Sequence, residues 1–285
     1  MKTLGILGGS GMLGSDLFIL ASSIGYKVIK FDLPKFDITS EKDLNDAVSQ
    51  SDLIVNCAAY TAVDKAESEK EKAFQINADA VEKLGMLSKK MNRYLVHIST
   101  DFVFGDLSNS PLTEESETFP LGVYGASKLK GEQNLLKSGA EAAVIRVEWT
   151  YGRNGINFIE KIIDNAKKNS TIKVVSDQFG APTPTTEAAR AILCFLSKKA
   201  LGIYHFSALG YASRFDAAKF IVEKLNIKTE VVPCQSSDFV TPAQRPLNSK
   251  FDCSKIDKIL DFKRKKWNDY LLSYLKNREK TDYFE

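Results

Sequence analysis

Leu4-Gly-Ile-Leu-Gly-Gly-Ser-Gly-Met-Leu-Gly14, with Val28-Ile-Lys-Phe-Asp32 beyond it, decides the fold. Lys2–Leu7 reads as a short apolar strand, and the glycines follow at once. A helical stretch runs to about Ile24, and Val28–Phe31 is a second strand ending in Asp32. Strand, glycine turn, helix, strand, acid is the order of a dinucleotide-binding βαβ unit, and Asp32 lies close to the expected distance beyond Gly14. Each glycine has a physical task. Gly8 permits the tight turn, Gly11 lets backbone N–H groups approach a pyrophosphate at the helix N-terminus, and Gly14 lets the helix pack close to the strand. Asp32 is placed to accept hydrogen bonds from ribose hydroxyls and to repel a 2′-phosphate. The only nearby cation is Lys35, with no arginine in Leu33–Ile38, so NADH is favoured over NADPH.

The pattern continues. Ser40 is a plausible N-cap for a helix over Ser40–Val48. Leu53–Asn56 is a third strand, and Cys57-Ala-Ala-Tyr-Thr61 puts small residues just past its end. Phe74–Met91 reads as one long helix, Tyr94–Ile98 as a fourth strand, 106–121 as a polar surface loop, and Ala143–Val147 as a fifth strand. Five strands alternating with helices predict an α/β fold with a Rossmann-type, doubly wound parallel sheet. After Gly152 the pattern loosens. Phe158–Lys168, Thr186–Lys198 and Arg214–Leu225 read as helices and Ile172–Val175 and Ile203–Phe206 as strands, while 233–250 is a long loop with three prolines around Arg245. We expect residues 1–152 to form the cofactor-binding domain, with later segments crossing back. Residues 153–285 then form mainly a smaller α/β substrate-binding lobe.

Composition narrows the function. The net charge of +3 in 285 residues is too small to argue for a nucleic-acid partner. No apolar run approaches the roughly 20 residues that span a bilayer, and the early glycines do not fit a signal peptide. Cys57, Cys194, Cys234 and Cys253 show no CxxC spacing and read as reduced thiols of a cytoplasmic protein. The two histidines, His97 and His205, are far apart in strand-like segments, so a catalytic metal site is not expected.

Tyr124-Gly-Ala-Ser-Lys128 supplies the chemistry. On a helix the two ends share one face. An ammonium beside a phenol favours the phenolate, and so is expected to pull the phenol below its usual value of about 10. Tyr and Lys fall four apart in many helices by chance, so the pair needs support from the rest of the chain.

That support comes from a resemblance. The glycine turn, Ser99-Thr100-Asp101 and Tyr124-xxx-Lys128 occur in the order found in extended short-chain dehydrogenase/reductases. Further motifs resemble the dTDP-4-dehydrorhamnose reductase family. These are Val55-Asn-Cys-Ala-Ala-Tyr-Thr-Ala-Val-Asp64 with Ala66-Glu67, Asn77, Ser99-Thr-Asp-Phe-Val-Phe104 and Tyr124-Gly-Ala-Ser-Lys-Leu-Lys-Gly-Glu132. Arg146 with Trp149-Thr-Tyr-Gly152, Asp177-Gln-Phe-Gly-Ala-Pro-Thr183, Gly202-Ile-Tyr-His-Phe-Ser207 and Arg245-Pro246 with Ser249 complete the set. The likeness spans about residues 3 to 270. It implies reduction of the C4 ketone of a nucleotide-linked 4-keto-6-deoxyhexose by NADH or NADPH. Tyr124 is then the general acid, Lys128 its pKa-lowering partner and a ligand of the nicotinamide ribose, and Thr100 the holder of the carbonyl oxygen. Gly8, Ser10, Gly11, Met12 and Leu13 would cradle the pyrophosphate. Asp37 and Ile38 would lie by the adenine, and Ala58, Ala59 and Thr61 along the cofactor. Asp101 and Trp149 would stand near the sugar, and Arg245 near the substrate's nucleotide.

Departures keep alternatives open. Val147 and Glu148 stand where the family has small hydroxyl residues, so Glu148 either hydrogen-bonds a sugar hydroxyl or marks a changed substrate. Phe102 replaces the usual tyrosine. Some members of the family are described with magnesium at a subunit contact; those ligands are not matched residue by residue here, and no metal is assigned. A homodimer is a possible assembly. Besides the dTDP-4-dehydrorhamnose reductase itself, two readings stand. One is a reductase of another nucleotide-linked 4-keto sugar. The other is a non-catalytic subunit resembling the methionine adenosyltransferase beta subunit.

Overall fold

The computed structural model describes residues 2–105 and 109–279. Part of the loop expected at 106–121 (residues 106–108) and the last residues of the expected second lobe (280–285) lie outside the described residues. The core is a six-stranded parallel sheet. Its strands are β1 (Thr3–Leu7), β2 (Lys27–Phe31), β3 (Leu53–Asn56), β4 (Tyr94–Thr100), β5 (Ala142–Val147) and, much later in the chain, Gly202–Phe206. The spatial order is β2, β1, β3, β4, β5 and then Gly202–Phe206. Register runs Leu4 to Val28 and Leu53, Val55 to Val96, and Ile98 to Ile145.

The inner strands β1, β3, β4 and β5 are largely buried on both faces, so their sequences are mostly apolar runs rather than alternating ones, while the edge strand β2 is half-exposed. Alternation survives in which core each residue enters. Leu4, Ile6, Leu53, Val55, Val96 and Ile145 pack on one face with α1 (Met12–Ser23), while Leu7, Ile54, Leu95 and Val144 pack on the other with α2 (Glu41–Ser49) and α3 (Ala80–Lys90). Ser40 caps α2, its side chain accepting from the Asp43 N–H. α4 (Val123–Ser138) lies on the same side as α3 and ends at Gly139, whose φ of 71° suits a left-handed C-cap.

Two features differ from the sequence reading. The helix expected over Phe74–Met91 is instead Lys70–Phe74, a π-turn over Gln75–Asp79, and then α3. A π-turn adds a residue to one turn and re-aims its side chains. Here it turns Asn77 inward, where its amide bonds the Tyr60 backbone and Ser127 Oγ. The α4 backbone comes so close that a Cβ on Gly131 would lie 2.0 Å from the Asn77 carbonyl oxygen.

The other difference is the size of the main sheet, which has six strands rather than five. α5 (Phe158–Lys168) and β6 (Thr171–Val175) leave the main sheet. α6 (Thr185–Lys198) then returns to pack on α1, and β7 (Gly202–Phe206) pairs in parallel with β5. A separate apolar cluster unites Ile159, Ile163, Ile172, Val174, Ile221 and Leu271. It is built from α5, β6, α7 (Arg214–Lys224), β8 (Glu230–Cys234) and α8 (Trp267–Asn277), with β6 and β8 paired in parallel.

Candidate active site

The site lies where β1, β3 and β4 end, at the C-terminal edge of the sheet, the usual ligand position in open α/β folds. The glycine turn forms its first wall. Gly8 has φ 74°, and a Cβ there would lie 2.6 Å from the Ala58 nitrogen. A Cβ on Gly14 would lie 2.2 Å from the Gly8 carbonyl, so α1 can start only against a glycine. Gly11 is the N-cap residue of α1 without any side-chain cap, and Ser10 and Gly11 are both exposed. The leading amides of a twelve-residue helix are thus presented around a backbone that side chains cannot fill, which fits a dinucleotide pyrophosphate. Asp32 is fixed across the turn, its Oδ2 accepting the Ser10 N–H at 2.7 Å.

The other expected cofactor contacts fall as follows. Met12 and Leu13 are half-buried at the start of α1, with Met12 Cγ 3.0 Å from where a Cβ on Gly152 would stand. Ala58 and Ala59 are half-buried beyond β3, and Thr61 is exposed. Ile38 is buried, and the Asp37 carboxylate is engaged by the N–H and hydroxyl of Thr39, which hold it below its ordinary range.

Thr100 ends β4 and Tyr124 begins α4 one strand-edge away. Thr100 donates its hydroxyl to Asp101 Oδ1 at 3.0 Å and interacts with the Tyr124 phenol. The Tyr124 ring packs edge-on against Phe102, with centroids 5.3 Å apart at 76°. The phenol departs from the direction expected of it. Desolvation pushes it up to about 12, Thr100 only partly offsets this, and the Asp101 carboxylate adds to it. The Lys128 ammonium does not reverse this, because its Nζ is turned to the Ile98 carbonyl at 2.6 Å and to His97 Nε2 at 3.3 Å. Lys128 is itself brought down to about 8 by burial, opposed by the Glu132 carboxylate and the Cys57 thiol. The site thus brings together a neutral, desolvated phenol, the Thr100 hydroxyl and a lysine whose charge burial weakens.

Several residues that pattern alone did not select complete the site. Below Lys128 lie Asn56 and His97, both wholly buried, with Asn56 Nδ2 3.1 Å from His97 Nδ1. One turn beyond Lys128, Glu132 takes Arg146 in a forked pair of 2.9 and 2.6 Å, and Arg146 Nη1 reaches His205 Nε2 at 3.3 Å. On the substrate side, the Arg214 guanidinium lies 3.6 Å from the centre of the Trp149 ring and 4.7 Å from that of Phe158. Trp149 holds φ 45°, a backbone region disfavoured for a bulky residue and met most often at functional sites.

Asp101 and Glu148 are buried behind this stack. Asp101 accepts from Ser249 Oγ at 2.5 Å, and Glu148 Oε2 accepts the Ala181 N–H at 3.0 Å. Burial, together with their mutual repulsion, raises Glu148 well above the ordinary carboxylate range, and burial raises Asp101 too. Asp101 therefore supports Thr100 from below. Glu148 is held against the backbone of the pocket wall, where a Cβ on Gly180 would meet its Oε2 at 2.5 Å. Arg245 forks onto Asp64 at 2.7 Å and donates to the Ala243 carbonyl, tying the 233–250 loop to the segment after β3.

Comparison with known proteins agrees with this geometry. The family model described as the RmlD substrate binding domain matches residues 1–280. The chain belongs to the dTDP-4-dehydrorhamnose reductase family. It is 38% identical over 245 residues to a dTDP-4-dehydrorhamnose reductase of Mycolicibacterium smegmatis, covering 85% of this chain and 75% of the relative. To that of Sinorhizobium fredii it is 33% identical, covering 85% and 86%. A solved dTDP-4-dehydrorhamnose reductase of Bacillus anthracis in complex with NADP superposes with a TM-score of 0.92 at 31% identity, covering 97% of this chain and 99% of that one. The Rossmann-type sheet and the NAD(P)H-dependent oxidoreductase class expected from the motifs hold for this member of the family. Among the described residues, no helix is long and apolar enough to cross a membrane.

Proposed function

We propose that the protein reduces the C4 ketone of dTDP-4-dehydro-6-deoxy-L-mannose to dTDP-L-rhamnose, with Tyr124 as general acid. The observation that carries this reading is the meeting of Thr100 and Tyr124 at the end of β4, with Lys128 one turn along α4 and held to β4 through the Ile98 carbonyl. A dihydronicotinamide, when bound, supplies the hydride. Tyr124 gives its proton to the oxygen as alkoxide develops, and burial keeps that proton in place through neutral pH. Thr100 holds the same oxygen once its hydroxyl hydrogen turns from Asp101. Lys128, while charged, favours the phenolate that Tyr124 becomes. Ser10, Gly11 and the first amides of α1 hold the pyrophosphate. Trp149, with the Arg214 guanidinium stacked on it, offers an aromatic and cationic face to the sugar and its phosphates.

The intact Thr100, Tyr124 and Lys128 set weighs against a non-catalytic subunit. One observation favours a second substrate, another nucleotide-linked 4-keto-6-deoxy sugar: Glu148 stands with Asp101 near Arg214, whose pKa burial lowers to about 10 with the two carboxyls only partly offsetting it. Asp32, oriented by Ser10, supports NADH as the preferred donor, whereas a similar reductase was solved with NADP. The four cysteines are free thiols, in keeping with a reducing cytoplasm.

Incubation with the dTDP-linked keto-sugar and each dinucleotide in turn tests the reading. We expect turnover to the rhamnose product and a higher kcat/KM with NADH. Turnover only with another nucleotide's keto-sugar moves the assignment to the second substrate, and a large preference for NADPH refutes the role given to Asp32.

A further inference from the structure

The residues behind Tyr124 admit one arrangement of hydrogens. Asn56 Oδ1 accepts the Ala58 N–H at 3.1 Å, which turns the amide's Nδ2 toward His97. His97 Nδ1 must then accept, so a neutral imidazole carries its hydrogen on Nε2. That edge faces Lys128 Nζ at 3.3 Å. An ammonium there sets N–H against N–H, whereas an amine presents a lone pair to the Nε2 hydrogen. The second contact of Nζ, to the Ile98 carbonyl, serves either form. Asn56 and His97 are 0% exposed and Lys128 2%, so water does not relieve the mismatch.

We propose that Asn56 and His97 are positioning residues that set the protonation equilibrium of Lys128, the Nε2–H of His97 stabilising the amine at the expense of the ammonium. The proposal deepens the functional reading and rests on it for its kinetic consequence only. The other groups facing Lys128 are Tyr124 and Glu132 on its own helix and Cys57 at the end of β3. Glu132 pulls in the opposite direction, and the Cys57 thiol stays neutral, pushed up to about 12 by burial. His97 has no charged neighbour other than Lys128 among the causes acting on it, and burial keeps it neutral far below its ordinary value. The low value of Lys128 agrees with a discharged lysine being accessible near neutral pH.

The chain contains two histidines, which makes the test direct. His205 faces the Leu112 carbonyl through Nδ1 at 3.0 Å and Arg146 Nη1 through Nε2 at 3.3 Å. It must therefore carry its hydrogen on Nδ1, opposite to His97. Long-range nitrogen-15 NMR of the wild-type protein at neutral pH reads both tautomers. We expect one neutral Nε2–H imidazole and one neutral Nδ1–H imidazole, assigned with His205→Gln. An Nδ1–H or doubly protonated His97 overturns the proposal without reference to any variant at that position.

His97→Gln replaces the obligatory donor edge with an amide that can turn its carbonyl to the ammonium and adds no charge. We expect the Lys128 midpoint, followed through its carbon-13 Cε shift, to rise by about one unit or more. We expect the alkaline limb of kcat/KM to move with it. An unmoved midpoint in folded His97→Gln also overturns the proposal. A midpoint that moves while the rate profile stays still upholds the proposal and instead refutes Lys128 as part of the catalytic set.

Discussion

Replacing Tyr124 with Phe removes one hydroxyl and little else, which makes it the sharpest test of the site. The ring and its edge-on contact with Phe102 are kept. The backbone carbonyl that accepts from Ser127 Oγ is unchanged. Thr100 retains its bond to Asp101, so no buried donor or acceptor is orphaned. The melting temperature should therefore stay within about 2 °C of wild type, since the costly mechanisms of destabilisation are absent. The rate should not survive as well. A positioned general acid is worth about 10²–10⁴-fold, or roughly 3–5 kcal/mol of barrier. The loss is expected in kcat, since the proton transfer and not the packing of the ring is removed. Steady-state loss of dihydronicotinamide absorbance gives kcat and both KM values. The dinucleotide KM should change little, because Lys128 and the glycine turn are untouched. A kcat within about fivefold of wild type refutes Tyr124 as the proton donor, and a collapse in melting temperature refutes the claim that the hydroxyl has no structural duty.

Two further predictions concern stability. Glu132→Gln leaves Arg146 charged and wholly buried, with the Phe104 ring and His205 as its remaining neighbours. Breaking a buried pair in this way costs about 3–5 kcal/mol, equivalent to a fall of about 5–8 °C for a chain of this length. A fall under about 2 °C in a thermal melt contradicts the assigned role of the pair. The folded protein should also weaken on acidification through its histidines. His205 is brought down to about 3, chiefly by burial and then by Arg146. The unfolded chain takes up that proton near 6.5 while the folded one does not, so stability is full above 6.5 and declines as pH falls from there toward about 3. By linkage the loss is on the order of 5 kcal/mol for this one group. Urea unfolding at stepped pH measures it. In His205→Gln the dependence over this window should shrink by that amount, and an unchanged dependence refutes a neutral buried His205.

The local readings transferred well because they depend on local physics. Gly8 needs a positive φ, and Gly14 has no room for a Cβ, so a dinucleotide turn leaves its mark in the residue types themselves. Ser40 caps α2 because a short hydroxyl is the right length for the Asp43 N–H. The strand runs are legible because a parallel sheet covered on both sides favours apolar residues. Tyr124 and Lys128 share a helix face by spacing alone.

What spacing could not supply was the environment of that face. The phenol was expected to titrate below its ordinary value because an ammonium sits four residues away. In the folded protein desolvation pushes it above that value, with the Asp101 carboxylate adding to the rise, while the lysine's Nζ is committed to Ile98 and His97. His97 looked like a strand residue of no consequence, and its contact with Lys128 joins residues 31 positions apart. The same is true of Arg214 on Trp149, of Arg245 on Asp64, of the π-turn that aims Asn77, and of β7 pairing with β5. Sequence order was enough for the fold class and the glycine turn, and it nominated Thr100, Tyr124 and Lys128 as reacting groups, since each reading rests on sterics or chemistry within a few residues. Only the tertiary structure decided which polar groups are buried together, and with them the charge state in which Tyr124 and Lys128 meet a substrate. Desolvation and hydrogen-bond direction are properties of neighbours that sequence order does not list.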